Sequence, residues 1–114
     1  MPSSIELTQE LVRFNTINPP GAERPCAERL AQLLEGAGFA VELVPFGAGR
    51  AQILARLGGT SSRLPLGFTG HIDTVPLGAQ PWSADPFAAD IADGKLYGRG
   101  SSDMKSGVAA FVTA

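Results

Sequence analysis

His71 is the only histidine in the 114 residues, and Asp73 stands two positions beyond it in Thr69-Gly70-His71-Ile72-Asp73-Thr74-Val75-Pro76. The apolar run before it, Leu64-Pro65-Leu66-Gly67-Phe68, reads as a buried strand. On a strand the side chains at i and i+2 share a face, so His71 and Asp73 are expected to project together just before Pro76. An imidazole and a carboxylate so placed suit a metal ligand with its orienting partner, or a general base with its orienter. Same-face neighbours on a strand are about 6.5 Å apart at the backbone, which leaves room for a third group or a metal between them. A single histidine near a strand end is more often structural than catalytic; the carboxylate two residues on is what shifts the weight toward chemistry.

A second carboxylate, Asp103, lies in Gly98-Arg99-Gly100-Ser101-Ser102-Asp103. Alone it would be read as helix-terminus electrostatics. Gly98 and Gly100 allow close backbone approach or positive φ, and a helix start reached through such a loop can present a carboxylate to a cation. The same stretch fails as a phosphate loop. The dinucleotide pattern needs glycine where Asp103 stands, and the nucleoside-triphosphate pattern needs glycine where Met104 precedes Lys105-Ser106. Ser101 and Ser102 are available as nucleophiles with His71 as base, but no Gly-x-Ser-x-Gly elbow surrounds them, and either can serve as a helix cap. Cys26 falls on a helical apolar face and reads as core.

The elements that must position these residues follow from periodicity. Ser3 and Glu6 have capping-box spacing, and Leu7, Leu11 and Phe14 recur at helical intervals, which predicts a helix from about 4 to 14. The polar turn Asn15-Thr16-Ile17-Asn18-Pro19-Pro20-Gly21 ends it. A second helix is expected from about 22 to 36, with Pro25 in its first turn, an apolar face of Cys26, Leu30, Leu33, Leu34 and Ala37, and a stop at Gly36 and Gly38. Segments 40–46 and 51–57 are strand-like and joined by Gly47-Ala48-Gly49-Arg50, so a hairpin is predicted. The His71 strand comes next, followed by an irregular stretch from Pro76 to Pro86 containing the lone Trp82. Asp93-Gly94 between Ile91 and Leu96-Tyr97 is a strong hairpin signal. A last helix carries Met104, Val108, Phe111 and Val112, with Asp103 expected in its first turn. The order fits a mixed α/β layer. The helical pattern is still running at Thr113-Ala114, with no capping glycine or proline, which leads us to expect the N-terminal part of a longer protein.

Bulk properties narrow the function classes. Nine basic residues against 11 acidic ones leave a net charge of -2, which gives no electrostatic reason to expect nucleic acid and no polybasic run for a membrane surface. One cysteine cannot form an internal disulfide and fits a reducing compartment. Met1-Pro2-Ser3-Ser4-Ile5-Glu6 lacks the basic-then-apolar order of a signal peptide. A cytoplasmic location is expected, with no membrane partner.

Three stretches together closely resemble a known metallohydrolase family. They are Gly70-His71-Ile72-Asp73-Thr74-Val75-Pro76, then Trp82 with Asp85-Pro86-Phe87, then Asp93-Gly94-Lys95-Leu96-Tyr97-Gly98-Arg99-Gly100-Ser101-Ser102-Asp103-Met104-Lys105-Ser106-Gly107. Asn18-Pro19-Pro20-Gly21 after the first helix is also similar. That family holds acetylornithine deacetylase, succinyl-diaminopimelate desuccinylase, aminoacylase, tripeptidases and glutamate carboxypeptidase. The resemblance implies that His71 is a ligand of one zinc, that Asp73 is the catalytic, orienting acid beside it, and that Asp103 bridges two divalent metal ions, Zn with Co as the alternative. A bridging carboxylate suits ions about 3.5–4 Å apart that polarise a scissile carbonyl and activate water.

The fold it implies is α/β, the N-terminal portion (residues 1–114) of a zinc-peptidase-like catalytic domain with a mixed sheet flanked by helices. The function it implies for the full-length protein is removal of an acyl group from an N-acyl amino acid, with acetylornithine or succinyl-diaminopimelate as the leading substrates. A dipeptidase or carboxypeptidase acting on short peptides is the near alternative. The full-length protein is expected to be a homodimer. The family's Glu-Glu pair follows the bridging aspartate by some tens of residues, and no glutamate occurs here after Glu42, so the 114-residue chain alone is expected to be inactive. Two rivals stay open from the residues: a fragment that keeps only the fold, and a serine hydrolase, which would ignore chelators.

Overall fold

The computed structural model describes residues 1–114. Helix α1, Ser4–Arg13, starts as its spacing dictates. The Ser3 hydroxyl accepts the Glu6 N–H while the Glu6 carboxylate accepts the Ser3 N–H, a complete capping box. Helix α2, Arg24–Gly36, has Pro25 in its first turn, and Gly38 follows with φ +92°. Strands β1, Ala40–Gly47, and β2, Arg50–Arg56, pair antiparallel as the predicted hairpin, with Ala40 opposite Arg56 and Leu43 opposite Ile53. Strands β3, Ile91–Ala92, and β4, Lys95–Leu96, form the second hairpin. Its turn residues Asp93 and Gly94 have φ of +51° and +71°, the double positive-φ geometry that the Asp-Gly pair favours. Helix α3 spans Ser106–Thr113.

The class is α/β, as expected, but the β component consists of two separate antiparallel hairpins rather than one mixed sheet. The largest departure is at Leu64–Phe68. That run is not a buried strand: Leu64, Leu66 and Phe68 are 94%, 83% and 60% exposed, and no ladder passes through it. An apolar run is strand-like only where neighbours take its backbone hydrogen bonds and cover its side chains, and nothing in these 114 residues does so.

The core lies where the three helices meet. Leu7 and Leu11 of α1, Cys26 and Leu30 of α2, and Val108 and Ala109 of α3 form one buried cluster. The predicted face of α2 is right at Cys26, Leu30 and Leu34, with Leu33 half-buried, whereas Ala37 is exposed beyond the helix end. Lys105 is also interior at 1% exposure. Its ammonium donates to the Phe14 carbonyl at 2.9 Å, at the end of α1, where a cation is favoured. Desolvation pushes the Lys105 pKa down.

Candidate metal centre

The site is built from three segments that helices α1 and α3 bracket. The turn after α1 grips the His71 segment along its backbone. The Thr16 hydroxyl donates to the Ile72 carbonyl at 2.6 Å, the Thr74 N–H donates to the Thr16 carbonyl at 3.0 Å, and the Asn18 N–H donates to the Thr74 carbonyl at 2.8 Å. Ile17 and Thr74 thereby form an isolated parallel bridge. From the other side the His71 N–H donates to Met104 Sδ at 3.4 Å, and an added Cβ at Gly70 would lie 2.9 Å from Met104 Cε.

Asp103 arrives on the wide turn Ser101–Lys105 that precedes α3. It is not in the helix's first turn as expected: its φ and ψ, -125° and 93°, are non-helical, and the helix begins at Ser106. Neither Ser101 nor Ser102 caps it. The turn is entered through Gly100, which caps it in the left-handed conformation with φ +82°. A Cβ there would lie 2.5 Å from Thr74 Cγ2, so glycine is required both for its conformation and for the approach to the His71 segment.

The three predicted residues come together. His71 Nδ1 is 3.0 Å from Asp73 Oδ1 and 3.0 Å from the Asp73 carbonyl oxygen. His71 Nε2 is 3.0 Å from Asp103 Oδ1. The His71–Asp73 contact is thus direct, although the segment is irregular and not a strand. Desolvation lowers the His71 pKa, but the bonds to the Asp73 carbonyl and the Asp103 carboxylate, with the charges of both aspartates, outweigh it and the net shift is upward.

These side chains line a cleft of about 360 Å³. One wall is Arg99, whose guanidinium lies 4.9 Å from the Trp82 ring centre, a cation–π stack; the Trp82 indole N–H donates to the Leu77 carbonyl at 3.1 Å. Asn18, assigned no part in the chemistry from the sequence, enters the site: its Nδ2 donates to Asp73 Oδ2 at 3.1 Å. Behind it, Glu23 is buried at 3% exposure and accepts from Arg50 at 2.7 and 2.9 Å. Hydrogen bonding to Glu23 raises the Arg50 pKa, and the charges of Glu23 and Asp73 add to it. Only the Asn18-Pro19-Pro20-Gly21 likeness hinted at Asn18, and no local signal marked Glu23 or Arg50.

An imidazole nitrogen and a carboxylate oxygen are donors of the kind that zinc-like divalent cations take. Two tetrahedral ligand atoms each about 2.0–2.2 Å from one cation lie about 3.3–3.6 Å apart, and His71 Nε2 and Asp103 Oδ1 are 3.0 Å apart, in direct hydrogen-bond contact. The pair therefore fits a cation in kind, and would open by a few tenths of an ångström to admit one. No group of three or more His, Cys, Asp or Glu side chains that could hold a metal ion occurs in the chain, so these residues form part of a ligand shell and not a whole one.

Residues 67–114, which carry His71, Asp73 and Asp103, match Peptidase family M20/M25/M40, and the resemblance read from the motifs is borne out. The chain is 40% identical to a succinyl-diaminopimelate desuccinylase of Wolbachia sp. subsp. Brugia malayi, over 96% of its own length and 27% of that protein's. It is 43% identical to the protein of that name from Rhodospirillum centenum, over 99% of this chain and 30% of the relative. With that of Cereibacter sphaeroides it shares 44% identity over 96% of this chain and 28% of the relative. The chain thus spans under a third of the length of these relatives. No helix is long and apolar enough to cross a membrane.

Proposed function

We propose that residues 1–114 are the N-terminal portion of the catalytic domain of a metal-dependent amide hydrolase. The full-length protein removes the acyl group from an N-acyl amino acid, with N-succinyl-diaminopimelate the leading substrate, and works as a cytoplasmic homodimer. The observation that carries this reading is the convergence of His71, Asp73 and Asp103 on one cleft from segments about thirty residues apart.

In this reading His71 Nε2 and Asp103 would hold a divalent cation, and Asp103, with its second carboxylate oxygen, would be available to a second one. Two divalent ions, Zn with Co as the alternative, would supply Lewis-acid polarisation of the amide carbonyl and an activated water. Asp73 accepts the Nδ1 proton and so leaves the Nε2 lone pair directed at the cation. The Arg99–Trp82 stack closes one wall of the cleft. The resemblance assigns the general base to the first glutamate of the Glu-Glu pair, no glutamate lines the cleft, and the 114-residue chain by itself is expected to turn over no substrate.

The test uses the full-length protein on N-succinyl and N-acetyl amino acids and on dipeptides, before and after chelation and with Zn²⁺ or Co²⁺ restored. Preference for the succinylated substrate, lost on chelation and regained with metal, is expected. Chelator-insensitive turnover, or a preference for dipeptides, would overturn the reading.

A further inference from the structure

We propose that Asn18 is a positioning residue: its side-chain amide fixes the Asp73 carboxylate so that the proton of a neutral His71 ring resides on Nδ1. The inference rests on the reading of His71 as a metal ligand for its consequence, the free Nε2 lone pair, though not for the hydrogen-bond geometry itself.

The Asp73 carboxylate divides its two oxygens. Oδ1 faces His71 Nδ1 at 3.0 Å, and Oδ2 accepts the Asn18 amide at 3.1 Å. The terminal torsion of an aspartate is broad and roughly two-fold, and this side chain is 33% exposed, so a carboxylate held at one oxygen only could swing away from the ring. Asn18 provides the second hold. Its own place is set by the backbone: its N–H donates to the Thr74 carbonyl, the Gly21 N–H closes the turn on the Ile17 carbonyl at 2.9 Å, and the Thr16 hydroxyl donates to the Ile72 carbonyl. The amide is therefore carried by a turn bonded to the residues on both sides of Asp73. Arg50 is near enough for the Asp73 charge to raise its pKa, but its N–H groups donate to Glu23. A distant charge does not orient a carboxylate as a hydrogen bond does.

The two ring nitrogens face unequal acceptors. Nδ1 has the Asp73 carboxylate and the Asp73 carbonyl. Nε2 has only Asp103, whose side chain is 85% exposed. With Asp73 held, a neutral ring keeps its proton on Nδ1; with Asp73 released, Asp103 competes for it at Nε2.

His71 is the only histidine, so the imidazole ¹⁵N resonances of the chain report this ring alone. The tautomer ratio is to be read above the pH where the ring titrates, at protein concentrations where light scattering shows a monomer, in the wild type, in Asn18→Leu, which keeps the size and removes the donor, and in Asn18→Ala. We expect Nδ1–H to predominate in the wild type, and the Nδ1–H to Nε2–H ratio to fall about fivefold in both variants, the change that one ordinary hydrogen bond supports. Zn²⁺ affinity should fall roughly 10-fold alongside. A ratio that stays at the wild-type value in either folded variant overturns the proposal, since a purely structural Asn18 would lower the melting temperature and leave the tautomer alone. If the wild type binds no Zn²⁺ yet the ratio still falls in the variants, the role of Asn18 stands and the metal-ligand reading fails.

Discussion

Each ring nitrogen of His71 has a carboxylate oxygen 3.0 Å away, and the pKa lies above the ordinary 6.5. Because the folded ring holds its proton more tightly than the unfolded one, its contribution to stability is complete below 6.5 and fades as pH rises through the folded pKa. Denaturation midpoints of the metal-free chain should therefore decline over that window, and the His71→Asn variant should lose this component. If His71 is the ligand proposed, metal binding has the opposite slope, because the cation needs the deprotonated nitrogen, and Zn²⁺ affinity should increase as pH rises through the same range. Asp73→Asn replaces the proton acceptor of Nδ1, and orienting partners of this kind are worth roughly 10–100-fold in metal affinity; isothermal titration with Zn²⁺ checks the loss. Cys26 is a contrast, a titratable group with no role in the site. It is fully buried, and desolvation pushes its thiol up to about 11, so alkylation at pH 8 should be on the order of 100-fold slower in the native chain than in denaturant.

The elements matter here as carriers of loops. Helix α1 ends in the turn that grips residues 72–74, and Lys105 reaches back from the Asp103 turn to the Phe14 carbonyl at the end of the same helix. The two halves of the site are thus both referred to α1. The most sensitive joint is Gly100, where φ is +82° and a Cβ would meet Thr74. Gly100→Ala should lower stability by about 1–3 kcal/mol, seen as a fall in the midpoint of thermal or urea unfolding. It should also weaken Zn²⁺ binding, because relief of the clash moves Asp103 away from His71. An alanine at the open position Gly58, where a Cβ meets nothing within 4 Å, is the control and should leave metal affinity unchanged.

Across the whole molecule the interior is small. Nineteen of 114 residues are buried, and the radius of gyration is 15.0 Å against about 13 Å expected for a compact chain of this length. Leu57, Leu64, Leu66, Phe68 and Phe46 are all more than half exposed, and Phe68 stacks on Phe111 at 5.3 Å as an outer layer on α3. Uncovered apolar surface of this extent favours association. The 114-residue chain alone is expected to form concentration-dependent oligomers in light scattering and to melt broadly, and a sharp cooperative melt from a monomer would contradict this.

Much was legible without coordinates because it depends on neighbours in sequence. The capping box at Ser3 and Glu6, the α1 and α2 periodicities, the β1–β2 hairpin and the Asp93-Gly94 turn are local preferences that tertiary contacts did not override. The pairing of His71 with Asp73 was legible as well, since residues two apart can meet in an extended segment whether or not a ladder forms. The strand expected at Leu64–Phe68 was not delivered, because strand formation depends on partners that no local pattern supplies. Asp103 was placed one turn too far into the helix, since a backbone shaped by contact with Thr74 cannot be read from capping rules. By itself, the sequence determined which short-range elements form and singled out His71, Asp73 and Asp103 as side chains with chemistry that suits a cation, through side-chain type and local torsional preference. Only the tertiary structure decided that Nε2 faces Asp103, that Asn18 holds Asp73 and that Lys105 is buried against α1, because each contact joins segments from 32 to 91 residues apart, and such distances are closed by packing and not by sequence spacing.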